Sequence, residues 1–177
     1  MARRVYWDAC TFLGLINEEV GKHTNCMDVW REAESGETII LTSFFTFAEV
    51  YKAKCEGKAH PLDEEGDRKI EAVLQQSFVE GALVDEGIGI SARRLMRQYE
   101  DCKKPSDAIH LATAARLNVD EMHTFDGSDL LPLNGKVQKA NGESLTICTP
   151  AKAPAPPPAP APLLNGIENG EGNEGPE

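Results

Sequence analysis

The chain has 177 residues, of which 41% are hydrophobic, enough for one folded domain with a proper core and a tail. Its formal net charge of −11 excludes a protein that simply coats nucleic acid, because such affinity comes from neutralised phosphates. A nuclease remains open, since acids can hold divalent cations while a local basic rim holds the backbone.

Val5–Trp7 is predicted to be a short strand ending at Asp8, and Thr11–Glu18 a short helix. Asp8 interrupts the N-terminus before any apolar run develops, which argues against a secretory signal. Thr24–Ser35 reads as a helix with Met27, Trp30 and Ala33 along one face. Thr38–Leu41 is β-branched and apolar, hence a buried strand. Phe44–Cys55 is predicted as a helix with a stripe at Phe44, Phe47, Ala48, Tyr51 and Cys55. The apolar stretch around Thr38 to Ala48 is too short to span a bilayer. Asp63–Gln76 follows as a polar-faced helix, Phe78–Val84 as a strand and Ser91–Tyr99 as a helix. Pro105–Leu117 is a strong helix, with Pro in its first turn and four alanines. Met122–Thr124 and Leu145–Cys148 complete the strands. Alternating strands and helices imply a parallel sheet covered on both faces, and the alanines let a helix lie close on it.

Composition breaks at Pro150: eight of the 11 prolines fall between there and Glu177. Residues 1–149 are therefore expected to be the domain. Residues 150–177 are expected to be a disordered Pro/Ala-rich and acidic tail. With one lysine against four glutamates, the tail leaves −8 on the folded part. The five scattered cysteines (Cys10, Cys26, Cys55, Cys102, Cys148) lack CxxC spacing. They indicate neither a disulfide framework nor zinc, and are read as free thiols in a reducing, cytoplasmic compartment.

In an open parallel sheet, ligands bind outside the carboxyl ends of the strands. Asp8 ends the first strand, and Asp126 follows Met122–Thr124. Glu49 lies in the helix after Thr38–Leu41, and Asp107 in the first turn of the helix feeding Met122–Thr124. Topology alone sends these four acids to one edge. Clustered oxygen ligands suit hard cations, Mg²⁺ or Mn²⁺. Such ions polarise a phosphoryl oxygen and activate water, so a phosphodiester is the natural substrate. Taken singly, each acid has an ordinary explanation. Asp8 would be a helix cap, Glu49 a surface residue and Asp107 a helix-dipole partner. Asp126 and Asp129 would be turn residues. Only the joint pattern points to chemistry.

With these residues in place, the sequence resembles the PIN-domain ribonucleases, which include the VapC toxins. VYWDAC is similar to the family's first strand and Asp, giving Asp8. SFFTFAE is similar to its S-x-x-T-x-x-E pattern, giving Ser43, Thr46 and Glu49. SDAIHLATA resembles the D-A-x-x-x-A-x-A helix, giving Asp107, and HTFDGSDL resembles T-x-D-x-D-F, giving Thr124 and Asp126. The family's hydroxyl after the first Asp is here Ala9, with Thr11 the nearest substitute. The last motif is one residue longer, with Leu130 for Phe, so Asp126 or Asp129 is the fourth acid; Asp126 is preferred for its distance from Thr124. The resemblance implies a three-layer α/β/α sandwich with a parallel sheet. It also implies endonucleolytic RNA cleavage with Mg²⁺ or Mn²⁺ held by Asp8, Glu49, Asp107, Asp126 and Asp129. The expected partners are RNA, an antitoxin if the chain is a toxin, and a second copy of the chain, with no membrane.

Arg93, Arg94, Arg97, Lys103 and Lys104 form a basic run before Asp107 that is either a rim for RNA phosphates or a solvated helix face. His110 reads as a structural histidine and Cys10 as a core thiol. Two alternatives stand beside the ribonuclease. One is a non-catalytic PIN-like binding module. The other is a haloacid-dehalogenase-type phosphatase, which needs an Asp where this chain has Cys10 and a Thr where it has Phe12.

Overall fold

The computed structural model describes residues 2–51 and 64–154. Among these, five strands form one wholly parallel sheet: β1 (Arg3–Trp7), β2 (Thr38–Ser43), β3 (Val79–Ala82), β4 (Glu121–His123) and β5 (Thr146–Cys148). Their order is β3-β2-β1-β4-β5. The chain thus winds outward from β1 to β3, then crosses back to lay β4 on the other side of β1. The order reverses between β1 and β4, and that switch point is where an open parallel sheet forms its ligand crevice.

Central β1 explains its own composition. Val5, Tyr6 and Trp7 are all fully buried, because a strand with a layer on each face has no solvent side. Alternate side chains feed two separate cores. Val5, Trp7 and Ile40 meet Phe12 and Leu15 of α1 (Ala9–Ile16), Val29 and Trp30 of α2 (His23–Glu34), and Ile70 and Leu74 of α4 (Glu64–Leu74). Tyr6, Leu41, Met122 and Ile147 meet α5 (Glu86–Gln98) and α6 (Pro105–Arg116) through Ile88, Ala92, Leu111 and Ala115. Helices on both faces of the sheet make the three-layer α/β/α sandwich. Ala108, Ala112, Ala114 and Ala115 are buried, so α6 lies close on the sheet, and a larger residue there would overpack it at about 1–3 kcal/mol.

Several boundaries differ from the sequence expectations for identifiable reasons. The helix expected over Phe44–Cys55 is only α3 (Phe45–Glu49), and Glu49 is its last residue. Val50 leaves helical geometry at ψ 60, Phe44 and Tyr51 are exposed, and of the described stripe residues Phe47 packs against the core. The ring of Phe44 instead lies over Gly81 of β3, where a Cβ would come within 2.5 Å of it. The helix α5 begins five residues before the expected Ser91, because Asp85 caps it by accepting from the Ile88 N–H at 3.0 Å. A short 3₁₀ turn at Leu131–Leu133 adds an element that the sequence pattern does not mark. The expectations at Cys55, Asp63 and residues 155–177 lie outside the described residues. The first residues after Pro150 are held by the domain: Arg3 donates to the Ala151 carbonyl at 3.0 Å, and the Ala153 N–H donates to Glu32 at 2.8 Å. Among the described residues, no helix is long and apolar enough to cross a membrane, and Cys10, Cys26, Cys102 and Cys148 are free thiols.

Candidate active site

At the carboxyl edge, Asp8, Glu49, Asp107 and Asp126 line a single cleft of about 260 Å³, together with Ala9, Cys10, Leu13 and His110. Each acid reaches it by a different local device. Asp8 caps α1: its Oδ1 accepts from the Thr11 N–H and the Thr11 hydroxyl, both at 2.9 Å. Thr11 shares that hydroxyl with the His123 carbonyl at 3.0 Å, and so ties the end of β1 to β4. The cap predicted from an Asp at a strand end is thus real, and it orients the carboxylate at the same time. Thr11 is the hydroxyl on the first Asp, in place of Ala9.

Glu49 is held across 61 residues of sequence. Its Oε2 lies 2.6 Å from His110 Nε2, and His110 Nδ1 lies 2.7 Å from the Tyr6 hydroxyl. Burial holds the Tyr6 phenol well above its ordinary pKa, so it stays protonated. A Tyr6 proton donated to Nδ1 leaves the ring proton on Nε2, where it is donated to Glu49. His110 is buried, as expected of a structural histidine, and it also orients a cleft carboxylate. Ser43 and Thr46 do not line the cleft. With Thr42 they build the turn from β2 into α3: Thr42 is 2.7 Å from the Thr46 hydroxyl and donates to the Trp7 carbonyl at 2.8 Å, beside Asp8. Ser43 is 3.5 Å from Thr46.

Asp126 is an Asx turn. Its Oδ1 accepts from the Ser128 N–H, the Ser128 hydroxyl and the Asp129 N–H at 2.8–2.9 Å. Burial pushes its pKa up, but these bonds and Lys104 outweigh burial and leave it below the ordinary value. Thr124 accepts from the Asp126 N–H at 3.0 Å. Asp107, Asp126 and Asp129 form the tightest group, with one carboxylate oxygen of each within 4.8 Å of the others. Asp8 and Glu49 line the same cleft outside that group. Asp107 is held above the ordinary carboxylate range by burial first; Lys104 opposes this, and Asp126 and Asp129 reinforce it. Its Oδ2 is buried and has no hydrogen-bond partner among the described residues. Lys104 Nζ is 2.6 Å from Asp129, but 3.5 Å from Asp126 and 3.6 Å from Asp107.

The basic run divides. Arg93 and Arg97, one turn apart on α5, flank an apolar groove with Met96, Pro105 and Ile109. Arg94 faces a different groove beside Arg116 and Lys139. Lys103 lies 3.9 Å from Asp129. Cys10 lines the cleft with its thiol 3.0 Å from Asp8, and burial plus that carboxylate push its pKa up to about 12, which keeps it protonated and inert.

A second set of metal-type donors, Glu121, His123 and Cys148, lies on β4 and β5. Trp7 donates its indole N–H to His123 Nδ1 at 3.1 Å, so the ring proton sits on Nε2 and goes to Glu121 at 2.8 Å. Burial holds His123 below the usual imidazole range despite Glu121, and Arg3 lies 3.5 Å from Glu121. Protein partners satisfy this network, whose nitrogen lone pair is already engaged by Trp7.

The model of the PIN domain family matches residues 5–128. The chain belongs to the PIN domain family. The matched stretch contains Asp8, Glu49, Asp107 and Asp126, and ends one residue before Asp129. Among solved structures, this PIN domain is similar to VapC20 of Mycobacterium tuberculosis, described as a sarcin–ricin loop cleaving toxin. The identity is 16% and the TM-score 0.55, over 70% of this chain and 90% of that one. It is also similar to a chain of a toxin–antitoxin complex from Klebsiella pneumoniae, at 19% identity and a TM-score of 0.55, over 84% of this chain and 99% of that one. At these identities the likeness concerns the fold. No curated protein matches the sequence.

Proposed function

We propose that this PIN domain is a divalent-metal-dependent endoribonuclease with Asp8, Glu49, Asp107 and Asp126 as its acting acids and Asp129 behind them. The observation that carries the reading is the cleft at the switch point, where four carboxylates from four separate segments line about 260 Å³. The residues fit a hard cation. Asp107, Asp126 and Asp129 offer oxygen only, within 4.8 Å, and one buried oxygen of Asp107 has no hydrogen-bond partner among the described residues. Asp107, Asp126 and Asp129 would hold the ion, with Asp8 and Glu49 completing the negative cradle. When bound, Mg²⁺ or Mn²⁺ supplies Lewis acidity towards the phosphoryl oxygens.

The chain's own part is positioning. Thr11 fixes Asp8, His110 fixes Glu49, and the Ser128–Asp129 turn fixes Asp126, so the carboxylates need no rearrangement when substrate arrives. The exposed lysines 103 and 104 and the Arg93–Arg97 face are suited to the RNA backbone. Likeness to VapC20 and to the Klebsiella complex supports an RNA loop as first substrate, and a toxin role with an antitoxin partner.

Incubation of the purified chain with structured RNA and Mn²⁺ or Mg²⁺ tests this. Cleavage that stops in excess chelator and in Asp107→Asn is expected. Cleavage unaffected by chelator would overturn the metal mechanism. Tight RNA binding with no cleavage under any metal would favour the non-catalytic module. For the toxin role, expression should arrest growth in an Asp8-dependent way, relieved by a small neighbouring protein; harmless expression of an active enzyme would remove that role.

A further inference from the structure

Lys104 stands immediately before Pro105, which restricts it to the extended conformation it adopts at φ −105°, ψ 134°. From the N-cap of α6, its side chain reaches the Asp107–Asp126–Asp129 group. The ammonium is 2.6 Å from Asp129 but 3.5 Å from Asp126 and 3.6 Å from Asp107. One hydrogen bond is made, and the other two contacts are too long. This explains why Asp107 Oδ2, though beside a cation, is buried with no hydrogen-bond partner among the described residues. The Lys104 ammonium faces three carboxylates and satisfies one, and Lys103 adds only a longer approach to the same Asp129, at 3.9 Å. The side chain is also 56% exposed, so it can leave without opening the core.

We infer that Lys104 is the resident counter-cation of the metal-free triad, and that it exchanges with the divalent ion instead of sharing the site with it. The inference rests on the metal reading above and adds the residue that regulates it. While Lys104 is in place it offsets carboxylate repulsion that would otherwise strain the empty site. When a divalent cation takes the triad, like charges drive Lys104 out. The released ammonium then lies at the mouth of the cleft, where a phosphate of bound RNA is its natural partner. Metal entry and phosphate capture thereby become linked. Lys104→Met should bind the ion more tightly and RNA more weakly, opposite signs that a merely structural lysine would not produce.

The test uses the full chain. Mn²⁺ affinity is measured by titration calorimetry or electron paramagnetic resonance for the unaltered protein, Lys104→Met and Lys104→Arg. A crystal structure of the unaltered protein with Mn²⁺ then locates Nζ. Expected are about two- to fivefold tighter Mn²⁺ binding by Lys104→Met, near-native binding by Lys104→Arg, and Nζ beyond 4 Å from all three carboxylates once Mn²⁺ is bound. The KM for RNA should rise in Lys104→Met. Nζ still 2.6 Å from Asp129 beside the bound ion, or Mn²⁺ affinity unchanged in Lys104→Met, would overturn the exchange and leave the metal mechanism standing. No Mn²⁺ binding by the unaltered protein or by Lys104→Met would end both. If Lys104→Met does not fold, the metal-bound structure decides alone.

Discussion

Replacing Asp8 by asparagine and by alanine separates what its carboxyl group does for the helix from what its charge does for the cleft. Asp8 is 4% exposed and caps α1 through the Thr11 N–H at 2.9 Å. Asparagine keeps an oxygen at that position, and Asn and Asp cap about equally well, so Asp8→Asn is expected within about 0.5 kcal/mol of the unaltered chain. Alanine leaves a buried N–H without its acceptor, at a cost of about 1–2 kcal/mol. The Thr11 hydroxyl still has the His123 carbonyl at 3.0 Å, which limits the loss. For a domain of this size that corresponds to a fall of about 2–8 °C in melting temperature. Both substitutions remove a negative charge from the cation's surroundings, so both should lower the cleavage rate by at least about a hundredfold. The assay pairs thermal unfolding in chelator with Mn²⁺-dependent RNA cleavage. Equal destabilisation by the two variants would refute the cap, and an Asp8→Asn protein that cleaves at the native rate would remove Asp8 from the chemistry.

In metal-free protein, Asp107→Asn should be more stable than the unaltered chain near pH 7. A carboxyl whose pKa rises on folding favours folding while protonated, and that contribution is lost as pH climbs through the folded value. The advantage should vanish below the ordinary Asp value of 3.8; unfolding curves showing a pH-independent difference would contradict it. His110→Leu should cost about 1–3 kcal/mol by removing the 2.7 Å partner of the buried Tyr6 hydroxyl, which retains Ser43 and Thr113 nearby, and by freeing Glu49, while His110→Gln retains part of both contacts, and double-mutant cycles with Tyr6→Phe should show coupling. Removing residues 155–177 should leave melting temperature and cleavage rate nearly unchanged. Removing 150–177 should lose about 1–2 kcal/mol, because the bonds from Arg3 to Ala151 and from Ala153 to Glu32 go with it; equal melting temperatures for the two truncations would show that those bonds contribute nothing.

Much of the cleft was legible because its acids sit at positions that local rules define. A strand end placed Asp8, a proline-led helix start placed Asp107, and a D-G-S-D turn placed Asp126, so a parallel sheet had to carry them to one edge. Glu49 was harder. The apolar spacing from Phe44 to Cys55 imitates a helix face, yet Phe44 packs over Gly81 and the helix ends at Glu49 itself. The start of α5 was missed because Gly87 and Gly89 have low helix propensity, which the Asp85 cap overcomes.

Local sequence determined the order of strands and helices, the parallel sheet and the acids on its carboxyl edge, because periodicity, capping and strand ends are short-range properties of neighbouring residues. Only tertiary structure decided which groups govern those acids. Tyr6 meets His110 across 104 residues, His110 meets Glu49 across 61, and Lys104 meets Asp126 and Asp129 from a different segment of the chain. A histidine on an alanine-rich helix and a lysine in a basic run carry no local mark of these contacts. They arise when packing α6 against the sheet brings its first turn to the switch point between β1 and β4, where burial turns ordinary polar side chains into partners for the carboxylates.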